Sequence, residues 1–248
     1  GMAKNVDQER SGAVTVDRAL RVFSAFSKQK PMLSLVELSQ LTSINKPTLL
    51  RFLESFRHGG LIERTSDGVY HLGRAMITYA ALYRAAVSEE KEINAILQDL
   101  MHRTGESASY SILHGDERMV VLRVESRHRI RDSVEVGDIF PLDRGAPSKV
   151  LNAFHAAVPD GEMTCLKDAC LSITRGEVEL GAAAVAAPVF QPGGVAGAIA
   201  IAGPETRLTA EKIRFIVPVV LDAAKRASLA LGGDVAKLDQ AIFAALKN

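Results

Sequence analysis

Residues 46–51 combine basic, hydroxyl and apolar side chains at the spacing of a helix that reads base edges in the DNA major groove. A guanidinium such as that of Arg51 can pair with a guanine edge, and Thr48 can reach a phosphate or a thymine methyl group. Nearby basic residues can neutralise phosphates, and a hairpin after the helix can approach the backbone or the minor groove. The predicted DNA-binding residues are Lys46, Pro47, Thr48, Leu50, Arg51, Arg57, Arg64 and Ser66.

Two helices and a hairpin must position these residues. Ser34 is suited to cap a short helix, and Asn45 to cap the next one, which is expected to end at Gly59-Gly60. Strand-like runs over 61–64 and 69–72 follow directly, separated by an Asp-Gly turn signal. Two short helices joined by a tight turn and followed by a hairpin predict a winged helix-turn-helix.

The distribution of charge supports this prediction. Residues 1–88 carry 12 Lys or Arg and 7 Asp or Glu, a net charge of +5, whereas the remaining residues carry 18 and 22, a net charge of −4. A basic N-terminal segment followed by a slightly acidic remainder is typical of a protein whose N-terminal segment binds a polyanion. Random clustering of charges is the alternative interpretation of this asymmetry.

The composition argues against several other classes of protein. Hydrophobic residues make up 47% and charged residues 24%, as in ordinary globular proteins. The longest apolar stretches are too short to span a bilayer and no signal-peptide pattern is present, so we expect a cytoplasmic protein without a membrane partner. Only two cysteines occur, Cys165 and Cys170, without zinc-ligand spacing. We expect both thiols to be buried and reduced, and we expect no metal and no cofactor.

The rest of the chain predicts a second domain of α+β class. Strand-like runs at 108–113, 119–124, 183–190 and 195–202 are antiparallel in pattern, and a helix is expected over 163–172 between the two pairs. The predicted divisions are a winged helix-turn-helix domain over 14–73, a linker helix over 74–88, the α+β domain over 89–231 and an amphipathic C-terminal helix over 232–248.

This order of elements resembles the IclR (isocitrate-lyase-regulator) family from about Val14 to Leu231. The most specific matching motifs are Thr104-Gly105-Glu106, Pro141-Leu142, Gly145-Ala146, Arg175-Gly176-Glu177 and Ala202-Gly203-Pro204. The resemblance implies that the rear domain is GAF-like and binds a small metabolite, often carboxylic or aromatic. It also implies a homodimer or homotetramer that binds double-stranded DNA at a palindromic operator.

The sequence departs from the family pattern in three places. Lys46-Pro47-Thr48 replaces Lys-Ser-Thr, and the chain between Phe154 and Arg175 is shorter by roughly twenty residues. Four positions that carry Asp, Cys and two Ser in the family read Thr174, Ala184, Ala200 and Ala202. The predicted effector-binding residues are Ser109, Ser111, Arg131, Asp143, Gly145, Ala146, Thr174, Ala184, Ala200 and Ala202.

The third departure bears on the ligand. A carboxylate needs hydrogen-bond donors, and a pocket that has lost them leaves a buried charge unpaired. We therefore expect that a small glyoxylate-like acid does not bind in that corner. The expected effector is larger and more apolar, as an aromatic compound is, and the alternative is that none binds.

Two other functions compete with the regulator. A hydrolase could use Cys165, Cys170 or Ser148 with His155, but no Gly-x-Ser-x-Gly elbow or paired carboxylates accompany them. A protein-interaction module that binds a ligand without DNA is the second alternative. The sequence favours a regulator that is not an enzyme, and a repressor rather than an activator.

Overall fold

The computed structural model describes residues 12–87, 89–155 and 161–247, and the chain divides after Val87 into two compact units. The observed fold confirms the predicted α+β class, with a small wing sheet in the first unit and a six-stranded antiparallel sheet with helices in the second. Residue 88, where the linker helix was expected to end, and residue 248, the predicted end of the C-terminal helix, lie outside the described residues.

The first unit contains three helices that precede a hairpin and one that follows it. Its elements are α1 (Val14–Leu20), a 3-10 turn (Phe23–Ala25), α2 (Leu35–Thr42), α3 (Lys46–His58), β1 (Ile62–Arg64), β2 (Tyr70–Leu72) and α4 (Ala75–Ala86). Ser34 and Glu37 form a complete capping box at the start of α2. Burial of apolar residues from the 3-10 turn, α2, α3 and the hairpin, including Leu38, Leu49 and Ile62, holds the unit together, whereas α1 contributes no buried residue.

The hairpin is tied to the helices at both ends. β1 and β2 pair antiparallel, and Leu33 exchanges two backbone hydrogen bonds with Tyr70, of 2.9 and 2.8 Å, so the chain before α2 adds to the wing sheet. Gly73 leaves the wing against Gly60, where a Cβ atom on residue 73 would lie 2.1 Å from the Gly60 carbonyl oxygen. Only glycine permits this approach, which fixes the exit of the wing next to the end of α3.

The second unit is built on one sheet with strand order β5-β4-β3-β8-β7-β6, in which every neighbouring pair is antiparallel. Its elements are α5 (Glu89–Thr104), β3 (Ser107–His114), β4 (Glu117–Val124), β5 (Ile139–Pro141), α6 (Ala146–His155), α7 (Gly161–Ala169), β6 (Ser172–Arg175), β7 (Ala182–Gln191), β8 (Gly194–Pro204), α8 (Ala210–Ala230) and α9 (Ala236–Leu246).

The expected helix over 163–172 was wrong at its end, because α7 stops at Ala169 and residues 172–175 form edge strand β6. Cys170 separates the two elements with a left-handed φ of 49°. The expectation of two buried thiols was also wrong for Cys165, which is exposed on α7, whereas Cys170 is buried. Burial raises the pKa of the Cys170 thiol, so this sulfur stays protonated at neutral pH.

The two faces of the sheet differ in side-chain size. On one face, large residues such as Ile199 and Ile201 pack against α5, α8 and α9, including Leu97 and Val220. On the other face, small residues including Ala186, Ala198 and Ala200 face α6. Small side chains let a helix approach the sheet closely, and they leave space wherever the helix does not cover them.

The described ranges contain neither a membrane-spanning helix nor a cluster of metal ligands. None of the helices there has the length and apolar character needed to cross a bilayer. No group of three or more His, Cys, Asp or Glu side chains in those ranges is arranged to hold a metal ion.

Candidate DNA interface and candidate effector cavity

The N-terminal half of α3 presents the predicted DNA-binding residues on its surface. The Asn45 side chain accepts a 3.0 Å hydrogen bond from the Thr48 backbone N–H and so caps the helix. Leu49 and Leu53 are buried, which turns Lys46, Leu50 and Arg51 to the exposed side. Pro47 is also exposed, and Thr48 is half-buried.

The basic residues of this surface differ in how firmly the protein holds them. Within the described residues, Lys46 and Arg51 form no ion pair, so no carboxylate there offsets the positive charge that they present to a binding partner. Arg57 is paired with Glu54 at 2.9 Å, and Glu54 also lies 3.1 Å from His58. The charge of Arg57 is therefore partly neutralised before any DNA arrives.

The wing is the hairpin formed by β1 and β2, and two contacts hold the Arg64 side chain against it. Its Nε atom donates to the Gly68 carbonyl at 3.4 Å, and its guanidinium lies 5.4 Å from the Tyr70 ring centre. Ser66 is exposed at the tip of the wing, beside Asp67. A hydrogen bond from the Thr65 hydroxyl lowers the pKa of Asp67, so the tip carries a negative charge at neutral pH.

A second candidate site is a cavity of about 70 Å³ between the start of α6 and the small-residue face of the sheet. Seven of the ten predicted effector-binding residues line it: Ser109, Gly145, Ala146, Thr174, Ala184, Ala200 and Ala202. Their convergence follows from strand pairing, because Ala200 is opposite both Ser109 and Ala186, and Ala184 is opposite both Thr174 and Ala202.

The other three predicted residues do not line the cavity. Ser111 is fully buried beside it and accepts a hydrogen bond from another side chain. Arg131 pairs with Glu125 at 2.9 Å on the surface. Asp143 is 70% exposed and pairs with Arg144 at 3.1 Å.

The backbone donors at the start of α6 are already engaged by the protein. Gly145 N–H donates to Glu177 Oε2 at 2.9 Å, and Ala146 N–H donates to Thr174 Oγ1 at 3.1 Å. Lys149 Nζ lies 2.7 Å from Glu177 Oε1. Burial opposes ionisation of Glu177, but Lys149 and the Gly145 N–H outweigh it and lower the pKa of this carboxyl. The two predicted backbone donors are therefore already hydrogen-bonded to the protein's own Glu177 carboxylate and Thr174 hydroxyl.

Arg118 is the main cavity residue that the sequence analysis missed. It lies on β4, is only 3% exposed, and donates from Nε to Ser148 Oγ at 2.9 Å and from Nη1 to Ser111 Oγ at 3.0 Å. Its guanidinium lies 4.2 Å from the Phe140 ring centre. Burial lowers the pKa of Arg118 to about 10, with Asp138 acting in the opposite direction, so the group is still charged at neutral pH.

A second arginine in the cavity has its own counterion. Arg123 pairs with Asp132 through Nη2 at 2.8 Å and Nη1 at 3.1 Å, and both side chains are 5% exposed.

The sequence gives little sign that Arg118 lines a cavity. Arg118 follows a polar turn, which is typical of a surface residue. The only local signal for a buried position is that this basic residue stands next to Met119 at the start of a strand, and that signal is weak.

Comparison with known proteins agrees with this architecture. Residues 15–66 match the family profile described as the IclR helix-turn-helix domain. Residues 81–167 and 159–229 match the profile of the bacterial transcriptional regulator IclR C-terminal domain. The two segments of the second match overlap at 159–167, within the stretch that the sequence predicts to be short relative to the family pattern.

Individual relatives are distant in sequence and similar in fold. The transcriptional regulator KipR of Bacillus subtilis is 26% identical over 243 residues, covering 88% of this chain and 97% of its own. An IclR transcriptional regulator from Silicibacter sp. TM1040 has a TM-score of 0.79 at 24% identity, covering 89% of this chain and 97% of its own. An IclR homologue from Microbacterium hydrocarbonoxydans, solved in complex with 4-hydroxybenzoate, has a TM-score of 0.73 at 17% identity, covering 88% and 99%.

The family is one of transcription regulators and not of enzymes, which removes the hydrolase alternative. The two profiles together span both compact units. The chain belongs to the IclR family of DNA-binding transcriptional regulators, with a helix-turn-helix domain and a C-terminal effector-binding domain.

Proposed function

We propose that the protein recognises a specific palindromic operator through the exposed N-terminal half of α3. The observation that carries this proposal is that Lys46 and Arg51 are exposed on α3 without ion pairs in the described residues. The base-facing surface also includes Pro47, Thr48 and Leu50. The DNA backbone is contacted by Arg57, Arg64 and Ser66. One recognition helix reads a half-site, so a palindrome requires a homodimer or homotetramer.

We propose repression as the direction of control, because a regulator that covers operator DNA excludes other proteins from it. The effector binds in the cavity beside α6, with a mainly apolar, aromatic body against Ala184, Ala200 and Ala202. The similar Microbacterium protein holds an aromatic compound, which supports an aromatic body here. Effector binding changes the DNA affinity by a coupling free energy of typically about 1–3 kcal/mol.

Selection of binding sites from random double-stranded DNA tests the operator proposal, and a palindromic motif is the expected result. Arg51→Ala is expected to weaken binding to the selected site by about 1–3 kcal/mol and to relax the sequence preference at one position. Lys46→Ala is expected to weaken binding to all sequences and to reduce the slope of log affinity against log salt by about 1.

Arg127→Ala is the matched control, since Arg127 is exposed in the second unit and belongs to neither site. Equal binding by wild type, Arg51→Ala and Lys46→Ala would reject the interface. Failure to bind any duplex at low salt would favour the protein-interaction alternative.

A further inference from the structure

We propose that residues 125–138 form a gate over the cavity beside α6, and that the buried ion pair between Arg123 and Asp132 is the latch that holds this gate closed. We call the segment, which connects β4 to β5, the strap. Opening of the strap lets a ligand enter and leave the cavity. The inference rests on the proposed function only in taking the cavity as the effector site, because the opening itself is measured without a ligand.

The space in the cavity is small for an aromatic body. Its volume is about 70 Å³, whereas an apolar cavity of about 150 Å³ holds a benzene molecule. An aromatic compound therefore fits only if part of the wall moves. Most of the wall consists of α6 and paired strands, but the strap contributes Asp132 and Val134 to it without belonging to a helix or a strand.

The other loop in the wall, residues 176–181, is held along its whole length. It has only six residues, and its own carboxylate, Glu177, is engaged by the start of α6. Backbone hydrogen bonds of 2.7 Å fix it at both ends, at Gly176 and at Gly181. The strap is longer, at fourteen residues, and it is the part of the wall best able to move.

The strap is anchored at its two ends, which can serve as hinges. At the first end, the Ser126 N–H donates to Ser107 Oγ at 3.0 Å, and the Ser126 hydroxyl donates to the Gly105 carbonyl at 2.7 Å. At the second end, the Gly137 N–H donates to the Val120 carbonyl at 2.8 Å, and Gly137 has a positive φ of 90°. Both anchors can stay in place while the residues between them move.

The middle of the strap is held by two arginine side chains from outside it. Arg123 on β4 makes the bidentate pair with Asp132, and Arg207 donates from Nη1 to the Ile130 carbonyl at 2.9 Å. The Ile130 side chain itself is 73% exposed, so the tip of the strap does not pack on the sheet. Both members of the Arg123–Asp132 pair line the cavity, which places the latch at the site that it controls.

The latch is weak in spite of its short distances. Both side chains are 5% exposed and have lost most of their hydration, and Arg123 Nε has no hydrogen-bond partner in the described chain. The Coulomb attraction of a buried ion pair only roughly offsets the loss of hydration, and a buried donor without a partner adds to the cost. Outward movement of Asp132 rehydrates both charges. The strap can therefore open without global unfolding.

The test measures how often the cavity wall is exposed, through a thiol introduced by Ala200→Cys into the full-length protein with Cys165→Ser. Ala200 lines the cavity and is 3% exposed, whereas Cys170 is buried in the core on the opposite face of the sheet. Cys170 therefore reports global unfolding in the same molecule. Iodoacetamide labelling is followed by mass spectrometry, in which tryptic peptides 168–175 and 176–207 separate the two thiols.

We expect the introduced thiol to be labelled at least tenfold faster than Cys170 and at least tenfold more slowly than the exposed Cys165 of the wild-type protein. Urea is expected to accelerate the labelling of Cys170 far more, because global unfolding exposes more surface than movement of the strap does. Equal rates and equal urea dependence of the two thiols would show that only global unfolding opens the cavity. Labelling of the introduced thiol as fast as Cys165 would show that no gate exists.

Two substitutions locate the latch. Asp132→Asn removes one of its charges and is expected to accelerate labelling of the introduced thiol tenfold or more, with the rate for Cys170 unchanged. Glu125→Gln is the matched control, since Glu125 pairs with Arg131 at 2.9 Å within the strap and does not tie it to the sheet. This control is expected to change neither rate. Equal labelling of the introduced thiol in Asp132→Asn and in the parent protein would overturn the latch.

The gate and the effector site can fail separately. If the introduced thiol shows local opening but no compound binds the protein, the gate stands and the effector proposal fails. If a compound binds but the thiol is exposed only by global unfolding, the effector site stands and the gate fails. Should Asp132→Asn destabilise the whole domain and accelerate both thiols, the urea dependence in the protein with an intact latch decides.

Discussion

At the scale of single residues, the same side chain has different roles according to its neighbours. Arg51 has an unoccupied guanidinium at the surface, Arg57 is tied to Glu54, and Arg123 is neutralised by Asp132. Arg118 is buried against hydroxyls. The sequence alone does not distinguish these four arginines from one another, and only the folded surroundings show which of them carries a charge that a partner can still use.

Glu177 provides a prediction on pH dependence. Its pKa in the folded protein lies below the ordinary value of 4.5, so its contribution to stability is full above about pH 4.5 and is lost as pH falls through the folded value. The difference in unfolding free energy between wild type and Glu177→Gln is therefore expected to be largest near neutral pH and to shrink from pH 5 to pH 3. Urea unfolding across this range measures it.

Glu162→Gln is the matched control for that prediction. Glu162 also approaches Lys149, at 3.4 Å, but its side chain is 71% exposed. Its removal is expected to change the unfolding free energy little at any pH. A constant difference between wild type and Glu177→Gln from pH 7 to pH 3 would contradict the assignment of Glu177 as the internal carboxylate at the start of α6.

At the scale of elements, the local signals were the reliable ones. The caps Ser34 and Asn45 and the glycine pair after α3 are read within a few residues of the helices they delimit, and the structure confirms all of them. Edge strand β6 was missed because it is defined by pairing with β7, and no local pattern in Ser172–Arg175 distinguishes it from a helix end. The lining of the cavity was predicted only in part, because it also depends on contacts between distant segments. Strand pairing and the position of α6 bring Arg118 to the cavity from a segment far away in the sequence.

The cap of α3 links stability to DNA binding. Asn45→Ala removes the acceptor for the Thr48 N–H and is expected to lower the unfolding free energy by about 1 kcal/mol. Asn45→Asp keeps an acceptor there and is expected to retain stability, but its negative charge lies next to Lys46 and should weaken DNA binding. Thermal unfolding and operator binding by fluorescence anisotropy measure the two effects. Wild-type operator affinity in Asn45→Asp would place the start of α3 away from phosphates.

At the scale of the whole molecule, each hydrophobic core belongs to one unit. One cluster lies within residues 22–70, and two others, on opposite faces of the large sheet, lie within residues 93–245. A polypeptide of residues 88–248 is therefore expected to unfold in one cooperative transition. Calorimetry measures this transition. Loss of cooperative unfolding in this fragment would show that its fold depends on the first unit.

The class of fold and the order of the domains were predictable because periodicity, caps and turn signals recur along the whole chain. Repression or activation, the operator sequence and the oligomeric state are properties of the protein's complexes with DNA and with further copies of the chain. The amino-acid sequence constrains them only through exposed side chains such as Arg51.

The alanines at 184, 200 and 202 have a consequence for how this regulator can change over generations. Alanine codons are one base away from those of serine, threonine and valine, so a single mutation at any of the three adds a hydroxyl or methyl groups to the wall of the cavity beside α6. The shape and polarity of that wall can therefore change by one substitution at a time, without a change in the strands that form it.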